Sequence, residues 1–462
     1  MFLVRRRVVL VRHGRSVTPN IPRAGSMPLL AVVSFLVCCV GYCTFTFPLF
    51  DSLTLRPPGI GNIGVGDIAL VALIACATHF ILTGAQLDAV DKIAVGLAVW
   101  FLTAAVAAAA LGDMPWRALL QSSVRWAPLW IALPLLRRLP ESQFRAILYG
   151  TCGIAAFVAC LHLYVILNRR DDLVAQLYYW YSGRADDPAF AGTLAALGRG
   201  EDLYAGAWPG GGLLLSSVAA GCVAGVAHPS IRSSRGVLTI LGVLCYLSMI
   251  VIVGRGVCIL LTGLLPLLCL LRYGLSKRVC YLLLALVGTF LTAAGVVLIA
   301  YPNVWDTSVE KWSRALSDFD VRDRDLQRVQ DTTQGIREIL ASPLFGNGQP
   351  KLRHVLSEVG GDVHAFVSVG LAGGIPAVLI LLLLYGLSIA SAWQKRSVIA
   401  DIGVIVSLHI LALCLMNAEA GFIVPRSLLV SVLALACMTR ANQPTPFSRC
   451  PLQVPRMPAT SS

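Results

Sequence analysis

Val279-Cys-Tyr-Leu-Leu-Leu-Ala-Leu-Val-Gly-Thr-Phe-Leu-Thr-Ala-Ala-Gly-Val-Val-Leu-Ile-Ala300 decides the fold of this chain. It holds no charged residue, and as a helix it is long enough to cross a hydrocarbon core of about 30 Å. Lys277 and Arg278 stand on its amino side, the pattern of a cytoplasmic boundary. On its carboxyl side a polar stretch runs from Tyr301 to Val363 before the next apolar run. A membrane protein gains nothing in anchoring from such a stretch, so chemistry is expected there.

The same apolar pattern recurs along the chain. Candidate spans lie at about 28–50, 66–84, 93–111, 119–136, 146–167, 210–227, 237–253, 256–272, 279–300, 365–392, 402–416 and 421–438. The fourth is the weakest, because Arg125 sits inside it. The tenth is long enough to tilt, and Gly370, Gly373, Gly374 and Pro376 can break its first turns. Composition agrees: 13% of residues are charged and mean hydropathy is +0.76, where a soluble domain carries about 25% charge. Spanning segments must pair their own backbone groups, so helices are expected. The fold class is therefore an all-α polytopic membrane protein of about twelve transmembrane helices, with a large outer loop between the ninth and tenth.

Lys and Arg set the orientation. With the amino terminus in the cytoplasm, the inner pieces are 1–27, 85–92, 137–145, 228–236, 273–278, 394–401 and 439–462. With boundary Arg272 they hold 20 basic and 4 acidic residues. The outer pieces hold about 16 basic and 20 acidic residues. The net charge of +13 is thus a topology signal. No nucleic acid is implied, since the basic residues are scattered over short loops. Six arginines precede the first run, which reads as a retained start-transfer helix. Within that tail, Leu10-Val-Arg-His-Gly-Arg-Ser16 carries an Arg-His-Gly signature of phosphohistidine chemistry. That chemistry needs a large α/β domain, so the stretch reads as a basic anchor. The tail after Arg440, rich in Pro and Ser, reads as disordered. The 14 cysteines lie almost all within spans, apart from Cys450 in the tail, and form no C-x-x-C pair, so neither a disulfide framework nor a metal site is expected.

The outer loop has internal order. Trp305, Val309, Trp312, Leu316 and Phe319 fall on one helical face, as expected of a helix in the headgroup layer. Leu326, Val329, Thr333, Ile336 and Leu340 repeat the pattern in a second helix. That helix should stop near Ser342, because Pro343 restricts the residue before it. Gly346 and Gly348 then allow a tight reversal. Basic groups gather on the same side: Arg255 between two apolar runs, Arg328 on the second loop helix, His364 opening the tenth run and Arg426 near the outer end of the last. An arginine at membrane depth must be paired or face water. For Arg255 the structural alternative is an anchor snorkelling to the headgroups, and for Arg426 a pair with Glu419.

Three places resemble one family. Val253-Gly-Arg-Gly256 is similar to a Ser-Arg-Gly at the start of a span. Arg328 followed by Ile336-Arg-Glu-Ile-Leu-Ala-Ser-Pro-Leu-Phe-Gly-Asn-Gly348 resembles an arginine-led helix ending in Pro-Leu-x-Gly-x-Gly. His364 followed by Gly373-Gly-Ile-Pro376 is similar to a His-Asn with glycines downstream. Together they resemble the O-antigen ligase and O-antigen polymerase superfamily of bacterial inner-membrane glycosyltransferases. Gly254 stands where that family has Ser, and Ala365 where it has Asn, Ser or Gln. The resemblance covers about 240 to 395.

The resemblance implies a glycan donor carried on undecaprenyl diphosphate, a glycolipid or glycan acceptor such as lipid A–core, no cofactor, no metal, and a lipid bilayer with the active site on the periplasmic face. The organisation implied is a cytoplasmic tail 1–27, helices one to nine over 28–300 with a periplasmic loop at 168–209, the large periplasmic loop 301–363, helices ten to twelve over 364–438, and a cytoplasmic tail 439–462. The ligase-like core is about 210–395. Arginine binds phosphate oxygens bidentately, so Arg255 and Arg328 are expected on the diphosphate, with Arg426 or Arg353 assisting. His364 is the expected base on the acceptor hydroxyl, with His354 the competing base. Ligase and polymerase stay open, because the acceptor decides between them. Tyr178-Tyr-Trp-Tyr181 either stacks on sugar or forms an aromatic belt at the headgroups. A carrier or flippase of lipid-linked sugars is the alternative of another class, although no repeat of two similar halves is visible.

Overall fold

The computed structural model describes residues 26–43, 64–111, 126–167, 209–231, 234–252, 260–300, 323–346, 365–394, 397–416, 422 and 425–440. Every regular element among them is a helix. In chain order they are α1 (Ser26–Cys43), α2 (Val65–Leu82), α3 (Ala89–Leu111), a 3-10 turn (Ala127–Ile131) running into α4 (Ala132–Arg138), α5 (Glu141–Leu167), α6 (Pro209–Ala227) and α7 (Arg235–Ile252). A π-helical turn (Leu260–Leu264) then runs into α8 (Leu265–Tyr273), followed by α9 (Lys277–Ala300), α10 (Asp323–Ala341), α11 (Ala365–Trp393), α12 (Val398–Met416) and α13 (Pro425–Arg440). Six of these helices are long and apolar enough to cross a membrane: α2, α3, α5, α9, α11 and α12. The chain is a multi-pass helical membrane protein.

The helices differ in how far they are enclosed. From Ser427 to Thr439 every side chain of α13 is buried, and α1, α4, α6, α11 and α12 surround it. Its buried Ser431 and Thr439 hydroxyls donate to carbonyls one turn back, at 2.9 Å and 2.6 Å, and small and hydroxyl-bearing residues of this kind mark helix–helix contact inside a membrane bundle. By contrast α9 is exposed at Tyr281, Leu284, Val287 and Leu291, the face a lipid-contacting helix shows. Around 119–136 the described part is the 3-10 turn and the seven residues of α4, with Trp126 and Trp130 buried.

The helix ends assigned to the cytoplasm meet one another. Arg137 at the end of α4 bonds Asp88 (2.7 Å) and Asp91, and Arg138 bonds Asp91. Arg440 at the end of α13 reaches Glu141 at the start of α5 (3.2 Å) and the carbonyl of Arg137. Arg137 and Asp91 are buried, and a buried pair holds only when further hydrogen bonds satisfy it. Burial raises the Asp88 carboxyl, but hydrogen bonds from Arg137 and the Asp91 amide, with the nearby Arg137 and Arg138 charges, bring it down to about 2. A second network joins α8, α11 and α12: Arg272 bonds Asp401 (2.6 Å) and the Trp393 carbonyl, and its guanidinium lies 4.8 Å from the centre of the Trp393 ring. Gly403 faces the backbone of Met438, so the two networks share one end of the bundle.

Candidate active site

The turn that follows α10 is seated on a break in α11. As the sequence predicts, α10 stops at Ala341, and Pro343 begins the turn. Gly346 takes a left-handed backbone, φ 67°, and its N–H donates to the Ser342 carbonyl (2.9 Å). Inside α11, Gly374 leaves the helical region at φ 70°. Its neighbour Ile375 donates its N–H to the Pro343 carbonyl at 2.8 Å. A Cβ on Gly374 would strike the carbonyl of Leu344, and one on Gly346 the carbonyl of Leu371. A Cβ on Gly370 would come within 2.6 Å of Ile339 on α10. Glycine is thus required at 346 and 374 by conformation and by space, and these two, one from each motif, serve one contact.

Trp100 of α3 closes this unit. Its indole N–H donates to the Gly373 carbonyl at 2.7 Å, and its ring stacks on Phe345 with centres 5.6 Å apart. Nothing in the apolar run 93–111 marked Trp100 as different from a core aromatic. Its partner lies 273 residues away, so only the tertiary structure exposes the role.

The break also redirects the start of α11. A straight helix would hold Phe366 and Tyr385 about 28 Å apart. Their rings instead lie 5.9 Å and 5.6 Å from the ring of Phe422, just before α13. The segment from Ala365 to Gly373 is therefore turned off the axis of the segment from Ile375 to Trp393. It is buried at Ala365, Ser368, Val369 and Leu371. The tenth apolar run, whose glycines and proline the sequence marks as able to break its first turns, is two helices meeting at Gly374.

The predicted site residues fall as follows. Arg255, Arg353, His354 and His364 lie outside the described residues. Arg328 lies on α10 and Arg426 is the second residue of α13; their helices are described, their side chains are not. Their elements are adjacent: α10 packs on α11, α11 packs on α13, and Ala365, the residue after His364, opens α11. The predicted interfacial helix at 305–319 and the aromatic stretch at 178–181 also lie outside the described residues.

Among the described residues no three His, Cys, Asp or Glu side chains are arranged to hold a metal ion. One ionisable group stands apart in the bundle interior. His409, midway along α12, is buried and neither ring nitrogen has a hydrogen-bond partner among the described residues. No family model matches the chain, and no curated protein matches it.

Proposed function

We propose that this chain is an O-antigen ligase-like glycosyltransferase of the bacterial inner membrane. It has about twelve transmembrane helices, both ends in the cytoplasm and its site on the periplasmic face. The donor is a glycan on undecaprenyl diphosphate, and the acceptor is a sugar hydroxyl of lipid A–core or a similar glycolipid. A polymerase of the same superfamily uses the same transfer and differs in acceptor.

The observation that carries this reading is the seating of the Pro343–Gly346 turn on the break at Gly374. Two of the three segments on which the resemblance rests form one unit, held by hydrogen bonds and by glycines that nothing larger replaces. In that frame α10 carries Arg328 and α11 begins one residue after His364. The unit stands away from the ion-pair end of the bundle: Ile375 to Trp393 spans about 27 Å of α11, and Asp91 to Trp100 about 14 Å of α3.

The chemistry follows from the donor. The acceptor oxygen attacks the anomeric carbon, the bond to the diphosphate oxygen breaks, and the configuration inverts. His364 takes the hydroxyl proton, or His354 in its place. Arg255 and Arg328, with Arg426 or Arg353, neutralise the charge that builds on the departing lipid diphosphate. No metal is assigned a part. Asp318-Phe-Asp320 and Asp323-Arg-Asp325 do have the spacing of paired carboxylates that hold a divalent cation. Chelator is therefore part of the test: purified protein, given lipid-linked glycan and acceptor in detergent with EDTA, should form product. Product that needs added Mg²⁺ or Mn²⁺ would remove the metal-free assignment. No product under either condition would remove the transferase.

A second reading, a carrier of lipid-linked sugars, draws on His409. Unpaired ionisable groups inside a bundle often mark transport paths. The same assay separates the two, because a carrier forms no product in a single compartment.

A further inference from the structure

At the end of the bundle away from the seated turn, a cleft of about 590 Å³ opens between α6, α8, α9 and α12. Its lining includes His228, Arg272, Ser276, Lys277, Arg278 and Asp401. One wall is a fixed, buried set of charges. Asp401 accepts from Nε (3.0 Å) and Nη2 (2.6 Å) of Arg272, and Nε2 of His228 lies 3.7 Å from its other oxygen. The side chains of Arg272, His228 and Asp401 are all at least nine-tenths buried.

The other wall is different. Lys277 is exposed and Arg278 half-buried, and among the described residues neither has an ion pair. Both stand in the first turn of α9, which holds no acidic residue. The amino end of a helix carries positive potential, so two cations there repel it and each other. Ser276 accepts the Val279 N–H at 3.3 Å through its hydroxyl and the Cys280 N–H at 3.0 Å through its carbonyl. The N–H groups of Lys277 and Arg278 are left toward the cleft end of the helix. Topology requires only that basic residues lie on this side of the membrane. It does not require a cavity with buried charged walls. With Arg272 and Asp401 balanced against each other, Lys277 and Arg278 leave the cleft in excess positive charge.

We propose that this cleft binds a phosphate group, either the headgroup phosphate of an anionic phospholipid or a soluble phosphate. Its volume is that of an ordinary ligand pocket, roughly 300–1,000 Å³. It lies at helix ends, the depth at which basic pockets between membrane helices meet lipid headgroups. Lys277 supplies a point charge, Arg278 a planar fork, and the start of α9 two backbone donors. The site is independent of the transferase reading, since it lies at the other end of the bundle.

The test uses the full-length protein in neutral detergent. Phosphatidylglycerol, phosphatidylcholine of the same chains, and inorganic phosphate are added separately. Binding is read by native mass spectrometry and by the unfolding temperature. Preference for phosphatidylglycerol over phosphatidylcholine assigns the headgroup, and a rise with inorganic phosphate alone assigns the soluble ion. In either case K277Q/R278Q should bind roughly thirtyfold more weakly, and K277Q alone about fivefold more weakly. The single variant keeps the test open if the double variant does not fold. R145Q, an exposed arginine outside the cleft, should bind like the parent. The proposal fails if neither ligand binds the parent protein, if the Lys277 and Arg278 variants bind as it does, or if R145Q loses as much as they do.

Discussion

Gly374 shows how much one residue can decide. A non-glycine residue at its φ costs about 1–3 kcal/mol from the backbone alone. Gly374→Ala would also drive a methyl into the Leu344 carbonyl. We expect a lowered unfolding temperature and faster proteolysis within 343–375, whereas Gly386→Ala, which has open space around it, should be neutral. Trp100→Phe keeps the stack on Phe345 and removes one hydrogen bond, for a loss of about 0.5–1.5 kcal/mol. Asp88 supplies the pH dependence. Its folded carboxyl is depressed from 3.8 to about 2, so its contribution is present above pH 3.8 and fades as pH falls through about 2. The gap in unfolding temperature between the parent and Asp88→Asn should therefore close over that window. At this scale the sequence marked Gly374 and Gly346, because glycine beside proline has local meaning. Trp100 and Asp91 looked ordinary, because what distinguishes them is a partner far away in the chain.

At the scale of elements, periodicity and run length located most helices to within a few residues, as for 279–300 against Lys277–Ala300. Errors collect where polar residues extend a helix beyond its apolar run. Glu141 to Arg145 belong to α5, although the run begins at 146, because Glu141 pairs with Arg145 along the helix and with Arg440 across it. The break in α11 was legible as a possibility, but not the fold-back of its first turns, which depends on Phe422 lying between Phe366 and Tyr385. The junction of α3, α4 and α13 yields a prediction of its own. Asp91→Ala leaves Arg137 buried without that partner and should destabilise the protein by about 3–5 kcal/mol. An apolar replacement of both Asp91 and Arg137 should recover part of the loss, as read by thermal unfolding of single and double variants.

For the whole molecule, the all-helical, multi-pass class was open to sequence, because apolar length is an average over many side chains. The meeting of α2–α3, α4–α5 and the end of α13 at one face agrees with the alternation expected from Lys and Arg. Reporter fusions at Ser317 and Gly361 should both report the periplasmic side; a cytoplasmic report from either would remove the outer-face site. The site itself was legible only through motifs, since no periodicity can say which arginine meets which histidine. The most direct measurement compares glycan transfer from undecaprenyl diphosphate by the parent, R255A, R328A and H364A at equal amounts of membrane-inserted protein. The account predicts transfer by the parent, a fall of about 10²–10⁴-fold for H364A, and falls of about 10²–10³-fold for R255A and R328A. Parent-level transfer by R255A or H364A would contradict it.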